Sequence, residues 1–385
     1  MTENLSFYTG QSPMTDPGQY AYLYDDLPDD LETLFKIINN VLFHRDDARD
    51  RYGPTTTQRR EQFLRTMQDR LARIIALDPA SLTFEREMKD KQIGLCRDFA
   101  VFMTSILRYK GIPARTRAGF GCYFVWEPPY RGDHWVTEYW DAEEACWRLI
   151  DANIGGGDLE YLENAVRRPF KQGIDFTDVK ANDEFYLAPY SWLACRSGEI
   201  DSKLYRHNNH WYGWPMLRGN LLFDFQALNN LEMNLFDYWD ELHIKPEGQM
   251  TSRDRATLDR IAEVSLDPDE NFGEMRELFE ELPRTRVLRS RLYLIGVLGD
   301  GEAQTASDLL DSDMTRLIAL TGGHGDEEQS TVSDHPGALP QRRLAGLEDV
   351  DDRLGIHVAH QPPLACLADA SFADVSIPGA RHQRG

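Results

Sequence analysis

Apolar residues recur every three to four positions along several stretches of the chain, which is the spacing of one face of an α-helix. The spacing predicts a helix over residues 31–43 that an Asp-Asp pair caps. A second helix is predicted over residues 57–77, and an Asp-Pro pair ends it. We expect both helices to pack against a third, which begins at Cys96 and stops before a Gly-Ile-Pro sequence at residues 111–113.

Cys96 falls in the first turn of the third helix, and Gly94 allows the chain a sharp entry into it. The free N–H groups of a first turn and the positive end of the helix dipole favour a thiolate. The same N–H groups are placed to receive an oxyanion. The position of Cys96 therefore predicts a nucleophile.

The pattern changes to alternation after residue 113, which predicts an antiparallel sheet and an α+β fold. The predicted strands cover residues 114–119, 120–126, 134–140 and 146–150. His134 begins the third of these strands. Asp151 follows the fourth, so an antiparallel hairpin brings it beside His134.

Cys96, His134 and Asp151 together suit covalent acyl transfer. A thiolate attacks a carbonyl carbon, a base activates it, and an acid fixes the tautomer of that base. Each residue by itself has an ordinary structural interpretation, as a small buried side chain, a strand-edge histidine or a turn former. Their joint occurrence favours chemistry. Because a structural zinc site usually needs four close ligands, we predict no metal.

Four further residues are weaker candidates for substrate binding: Gln92, Glu138, Trp211 and Trp214. Gln92 lies four residues before Cys96 and is a candidate oxyanion donor, although the backbone N–H of Cys96 can do the same work. Glu138 shares the predicted strand face of His134, and an ion pair explains it equally well. The two tryptophans lie in an aromatic stretch that forms either a packing layer or the wall of a cleft.

Four separated motifs resemble the transglutaminase-like superfamily. They are Gly94-Leu95-Cys96-Arg97-Asp98-Phe99-Ala100, Leu107-Arg108-Tyr109-Lys110-Gly111-Ile112-Pro113-Ala114-Arg115, His134-Trp135-Val136-Thr137-Glu138 and Leu149-Ile150-Asp151. The resemblance implies a papain-like/transglutaminase-like core with a helical layer, a catalytic cysteine helix and an antiparallel sheet. It also implies that Cys96 is the nucleophile, His134 the base and Asp151 the orienting acid. Arg97 departs from the crosslinking members, which carry an aromatic residue after the nucleophile.

The resemblance leaves the reaction open. Similar domains include protein-crosslinking transglutaminases, bacterial cysteine proteases, peptide N-glycanases, amide synthases and members that have lost the triad. We expect a peptide or small-molecule amide substrate, no cofactor, and hydrolysis in preference to crosslinking, because water is always present and nothing in the sequence encodes an amine pocket. The alternatives are an amide synthase or transamidase of small-molecule metabolism, and a non-catalytic protein-binding module.

The apolar pattern divides the chain into an irregular leader (1–29), a catalytic domain (30–245), a helical extension (246–300) and an acidic, largely disordered tail (301–385). Further helices are predicted over residues 225–242, 254–264 and 271–282.

The formal net charge of −22 argues against binding to nucleic acid or to an anionic membrane, because both need clustered Lys and Arg. The chain has five cysteines and no CxxC pair, which favours reduced thiols and a cytoplasmic location. The first residues lack a signal-peptide pattern, and no apolar run is long enough to predict a transmembrane helix.

Overall fold

The computed structural model describes residues 2–45, 55–124, 129–157, 171, 173–207, 211–238, 241–282 and 288–289. The predicted acidic tail, residues 301–385, lies outside these ranges, and so does most of the second half of the predicted extension.

Helices and one main sheet build the described part of the chain. In chain order the helices are α1 (Glu3–Thr9), α2 (Leu31–Val41), α3 (Thr56–Arg60), α4 (Met67–Leu77), α5 (Cys96–Tyr109), α6 (Ala152–Gly155), α7 (Ala188–Ser197), α8 (Trp214–Leu228), α9 (Glu241–Ile244), α10 (Ser252–Leu266) and α11 (Phe272–Glu281). Short 3₁₀ turns lie at Gly18–Tyr24, Glu61–Phe63, Met88–Asp90, Ser202–Leu204 and Glu247–Gln249.

The strands are β1 (Leu42–His44), β2 (Gln92–Gly94), β3 (Ala114–Gly121), β4 (Arg131–Asp141), β5 (Cys146–Ile150), β6 (Phe185–Leu187), β7 (Tyr205–Arg206), β8 (Asp237–Tyr238) and β9 (Leu288–Arg289). The main sheet has the order β5-β4-β3-β6, with antiparallel neighbours, and β7 pairs in parallel with the start of β4. The predicted α+β class is confirmed.

The first two predicted helices differ in how well they match the structure. α2 is confirmed with its cap, because the Asp30 carboxylate accepts the Thr33 N–H at 2.8 Å. The predicted helix over 57–77 is interrupted between α3 and α4. There the Thr66 hydroxyl caps α4, and Arg65 turns away to form a buried ion pair with Asp237 at 2.6 Å.

The leader, predicted as irregular, contains α1 and a 3₁₀ turn. Tyr24 and Leu27 join it to the apolar cluster of α2, α4 and α5, and buried polar contacts that no local pattern predicts attach it further. The Tyr8 hydroxyl donates to the Leu228 carbonyl at 2.9 Å, and the Ser12 hydroxyl donates to the Glu232 carboxylate at 2.6 Å. These partners lie more than 200 residues away along the chain.

Two other predictions were wrong about boundaries. The predicted strands 114–119 and 120–126 are replaced, in the described residues, by the single strand β3, which ends at Gly121. The helix predicted over 225–242 is observed at 214–228 as α8, which begins after Gly213 and ends at Asn229. The helix α7 was not predicted, although Pro189 in its first turn and Gly198 beyond its last are typical boundary residues.

Two apolar clusters organise the packing. The first joins α2, α4 and α5 to one side of the main sheet. The second joins α7, α8, α10 and α11, and it includes Leu221, Leu258 and Met275. The described part of the predicted extension therefore shares a core with the domain that precedes it.

A buried charge network ties α8 to the sheet. The Arg117 guanidinium pairs with both carboxylate oxygens of Asp224 at 3.0 Å, and it also donates to Glu138 at 3.0 Å. Arg115 donates to the same Glu138 carboxylate at 2.5 Å. Because buried charges are costly without partners, this network fixes how α8 sits on β3 and β4.

Candidate active site

Cys96 is the first residue of α5, and a set of buried charges holds the start of that helix. Asp98 accepts the Leu95 N–H at 2.8 Å, and its other oxygen pairs with Arg70 at 2.8 Å and Arg97 at 2.9 Å. All three charged side chains are at most 1% exposed. The backbone that carries Cys96 is therefore tightly constrained.

Arg97, which departs from the crosslinking pattern, points into the protein. Besides Asp98, its guanidinium donates to the backbone carbonyls of Arg65, at 2.9 Å, and Glu232. The side chain links the start of α5 to the segment before α4 and the segment after α8. Its position after Cys96 serves to hold the helix in place.

His134 and Asp151 are brought together by the hairpin of β4 and β5. In this hairpin Thr137 pairs with Ile150, so Asp151, the next residue, lies level with the first half of β4. The His134 Nε2 atom lies 2.9 Å from Asp151 Oδ2. His134 is 3% exposed and Asp151 is fully buried, so bulk water does not compete for this contact.

Asp151 also caps α6, which fixes its orientation. Its Oδ1 atom accepts the N–H groups of Asn153 at 3.0 Å and Ile154 at 3.1 Å. Its own N–H donates to the Phe176 carbonyl at 2.9 Å. One carboxylate oxygen therefore serves the backbone, and the other remains for His134.

The Cys96 thiol lies close enough to the His134 imidazole for each group to shift the pKa of the other. Because Asp151 occupies Nε2, the ring nitrogen that remains for the thiol is Nδ1. The structure thus brings the three predicted residues Cys96, His134 and Asp151 into one connected chain of contacts from α5 to the end of β5.

Burial and charge act in opposite directions on this pair. Burial raises the pKa of the Cys96 thiol above its ordinary value, and the nearby His134 imidazole lowers it in part. The helix start acts in the expected direction, because the backbone N–H of Arg97 also lowers the thiol pKa, but burial outweighs it. Burial lowers the pKa of His134, but the Asp151 carboxylate, with a smaller contribution from Cys96, raises it to about 10.

Aromatic side chains enclose the imidazole. The ring of Tyr123 meets the His134 ring edge to face, with centroids 6.1 Å apart, and Phe124 does so at 5.5 Å. The Tyr123 hydroxyl donates to Asp151 Oδ2 at 2.6 Å, the same oxygen that His134 contacts. Sequence reasoning missed Tyr123, because it was assigned only as one residue of a strand.

Two of the weaker candidates are engaged elsewhere. Gln92 is fully buried on β2, where its side-chain N–H donates to the Arg70 carbonyl at 3.2 Å and its oxygen accepts from the Arg70 guanidinium at 2.7 Å. Both ends of its amide are therefore held against Arg70. Glu138 carries the ion pairs with Arg115 and Arg117, so the ion-pair alternative is the correct one.

The two tryptophans occupy different surroundings. Trp214 starts α8 and meets Trp192 edge to face at 5.3 Å, within the second apolar cluster, so it belongs to the packing layer. Trp211 is 37% exposed, and its carbonyl accepts the His207 N–H at 2.8 Å. His207 in turn lies 2.8 Å from Asp133, the neighbour of His134, which keeps Trp211 as a candidate at the edge of the site.

Among the described residues, no group of three or more His, Cys, Asp or Glu side chains is arranged to hold a metal ion. Within the same residues, no helix has the length and apolar content that a membrane crossing requires.

A cysteine at a helix start, packed on an antiparallel sheet that carries a histidine and an aspartate, defines the core of a thiol-dependent enzyme class. Residues 57–152 match the Transglutaminase-like superfamily, and this segment contains Cys96, His134 and Asp151. This match confirms the resemblance to the transglutaminase-like superfamily that the four motifs predicted. Members of this family are usually cysteine peptidases or acyltransferases.

One solved structure is also similar, that of a "Putative Cysteine Protease" from Cytophaga hutchinsonii. The sequence identity is 16% and the TM-score is 0.26. The match covers 40% of this chain and 43% of that chain, so this chain spans less than half the length of that protein. Comparison with curated protein sequences gives no match.

Proposed function

We propose that this protein is a thiol-dependent hydrolase that cleaves an amide bond through Cys96, His134 and Asp151. The observation that carries the proposal is the position of the imidazole, whose Nε2 atom contacts Asp151 and which lies close enough to the Cys96 thiol for each to shift the pKa of the other. This arrangement suits a residue that moves a proton between a sulfur and a substrate.

The reactive state is a thiolate beside an imidazolium. The thiolate attacks the carbonyl carbon, a C–S bond forms, and the negative charge moves to the carbonyl oxygen. The N–H of Cys96, which has no acceptor within a helix that it begins, is placed to donate to that oxygen. His134 then gives its proton to the amide nitrogen, and the C–N bond breaks to release an amine.

Water completes the reaction. The neutral imidazole of His134 removes a proton from a water molecule, whose oxygen attacks the acyl carbon. The C–S bond breaks, the acid is released, and the thiolate and imidazolium are restored. The high pKa of His134 favours the protonated form that the first step needs. An amine in place of water gives transamidation or amide synthesis by the same steps.

Activated esters test the proposal, because they acylate a reactive thiol whatever the natural substrate is. We expect a p-nitrophenyl ester to acylate Cys96, as detected by mass spectrometry, and we expect His134→Gln to abolish that modification. Cys195→Ala is the matched control, since Cys195 is also buried, at 7% exposed, and burial raises its pKa to about 12. Acylation of Cys96 that is equally fast without His134 would refute the role of the pair.

Turnover of a library of peptide amides then separates the reactions. We expect Cys96→Ala to keep the fold and to lose turnover, while Cys195→Ala keeps both. Release of free acid supports hydrolysis, and capture of the acyl group by an added amine supports the acyltransferase alternative. If folded Cys96→Ala still turns the substrate over, both the hydrolase proposal and the acyltransferase alternative are ruled out.

A non-catalytic binding module is the second candidate, and the burial of Cys96 is the observation that favours it. The thiol is only 8% exposed, as a packing residue would be. For such a module, we expect Cys96→Ala to lower the free energy of unfolding and to change no reaction.

A further inference from the structure

Tyr123 is a buried residue whose hydroxyl reaches the carboxylate oxygen that His134 also contacts. The phenol donates to Asp151 Oδ2 at 2.6 Å, and the imidazole Nε2 lies 2.9 Å from the same atom. The side chain is fully buried. Burial and the neighbouring carboxylate raise the pKa of Tyr123 well above its ordinary value, so the phenol stays protonated and remains a donor.

We propose that Tyr123 is a positioning residue, which orients the Asp151 carboxylate and weakens its hold on the His134 imidazolium. The inference rests on the proposed function of the pair formed by Cys96 and His134. Tyr123 lies outside the four sequence motifs, and in this proposal it helps to determine how readily the imidazole gives up its proton.

Competition for one oxygen atom is the physical basis. Asp151 Oδ1 already accepts two backbone N–H groups. The side-chain contacts, from Tyr123 and His134, are therefore both made to Oδ2. Hydrogen bonds to an ionised acceptor are short and strong, and each donor draws on the same negative charge. With the phenol in place, less of that charge stabilises the imidazolium. Without the phenol, His134 binds its proton more tightly.

The ring of Tyr123 also fills space, and this role must be separated from that of its hydroxyl. The ring meets the rings of His134 at 6.1 Å and Phe176 at 5.4 Å. Tyr123→Phe keeps these contacts and removes only the oxygen, whereas a smaller residue would leave a cavity.

Other ionisable groups around His134 stay unchanged in that variant. Cys96 faces the imidazole from α5, and Asp151 faces it from the end of β5. Asp133 lies next to it on β4 and is paired with His207 at 2.8 Å. A change in the titration of His134 in Tyr123→Phe therefore reports the lost hydroxyl.

Nuclear magnetic resonance of the His134 imidazole tests the proposal without any substrate. We expect Tyr123→Phe to raise the pKa of His134 by up to about one pH unit. Tyr24→Phe is the matched control, because Tyr24 is also buried and its hydroxyl bonds to the Ser105 hydroxyl at 3.0 Å. Ser105 lies on α5, about 13 Å along the helix from Cys96. An unchanged His134 pKa in folded Tyr123→Phe overturns the proposal.

A second variant covers the case in which the phenylalanine protein does not fold. Replacing Tyr123 by 3,5-difluorotyrosine keeps the shape and makes the phenol a stronger donor, so the His134 pKa should fall. No change, or a rise, overturns the proposal.

The same measurements separate this proposal from the proposed function. Turnover that survives in Cys96→Ala refutes the enzyme, while the His134 titration still decides the role of Tyr123. If the enzyme is active, we expect the pH profile of turnover in Tyr123→Phe to move to higher pH. A purely structural role would lower the melting temperature and leave that profile in place.

Discussion

Replacing Asp151 by asparagine changes the charge next to His134 while keeping the shape of the side chain. The amide oxygen can still accept the N–H groups of Asn153 and Ile154. The amide nitrogen then occupies the place of Oδ2, where it faces two donors, His134 and Tyr123. The imidazole loses its carboxylate and is pushed toward the tautomer with its proton on Nδ1, which cannot accept a proton from the thiol.

The size of the expected stability change follows from the pKa of His134. Contacts in the folded protein raise that pKa from 6.5 to about 10, with the Asp151 carboxylate as the largest raising contribution. Since one pKa unit corresponds to about 1.4 kcal/mol, the protonated imidazole contributes at most about 5 kcal/mol to folding. This contribution is complete below pH 6.5 and is lost as the pH rises through about 10, because the folded state binds the proton more tightly.

In Asp151→Asn, the pKa shift of His134 is expected to have the opposite sign. Without the carboxylate, burial is the dominant influence and lowers the His134 pKa. The histidine then contributes no stability at low pH, and its protonation opposes folding. The stability of wild type minus that of Asp151→Asn should therefore be largest near pH 6 and should shrink by several kcal/mol toward pH 10.

Guanidinium unfolding at fixed pH values between 6 and 10 measures this difference. Asp30→Asn is the control, because Asp30 also caps a helix through its carboxylate but has no histidine partner in the described contacts. The free energy of unfolding of Asp30→Asn should differ from that of wild type by a constant amount from pH 6 to pH 10. A difference between wild type and Asp151→Asn that stays constant from pH 6.5 to pH 10 would refute the assigned contact between Asp151 and His134.

Two further predictions concern the thiol and the charge network. His134→Gln should raise the pH midpoint of Cys96 alkylation by iodoacetamide, because His134 lowers the thiol pKa. Mass spectrometry across a pH series measures this midpoint, and an unchanged midpoint contradicts the prediction. Asp224→Leu should lower the free energy of unfolding by about 3 kcal/mol, since Arg117 keeps its buried charge. Adding Arg117→Met should recover part of that loss in denaturant titrations, and a larger loss in the double variant contradicts the reasoning.

Local patterns predicted the parts of the site that local patterns build. The apolar spacing and the Gly-Ile-Pro sequence gave α5 with Cys96 at its first position, and both were confirmed. Alternation and a polar turn gave the hairpin that carries His134 and places Asp151 at its end, and that pairing was also confirmed. In each case the deciding residues are neighbours along the chain.

The same reasoning failed for α8, and the physical reason is its burial. Nearly every residue of α8 from Leu217 onward is buried, because other helices and the sheet cover it on several sides. Its buried positions include polar residues such as Arg218, Asp224 and Gln226, so no apolar stripe of period 3.6 marks the helix. Only the boundary residues, Gly213 and Pro215, indicated where it starts.

The sequence by itself determined which residues have reactive side chains and which local element carries each of them. Tertiary structure alone decided what each side chain touches. It tied Gln92 to Arg70 and Glu138 to a pair of arginines, and it placed the Tyr123 hydroxyl on Asp151. A local pattern predicts only which face of its own helix or strand a side chain lies on. The residue that it contacts lies on an element distant in the chain, and only the packed fold brings the two together.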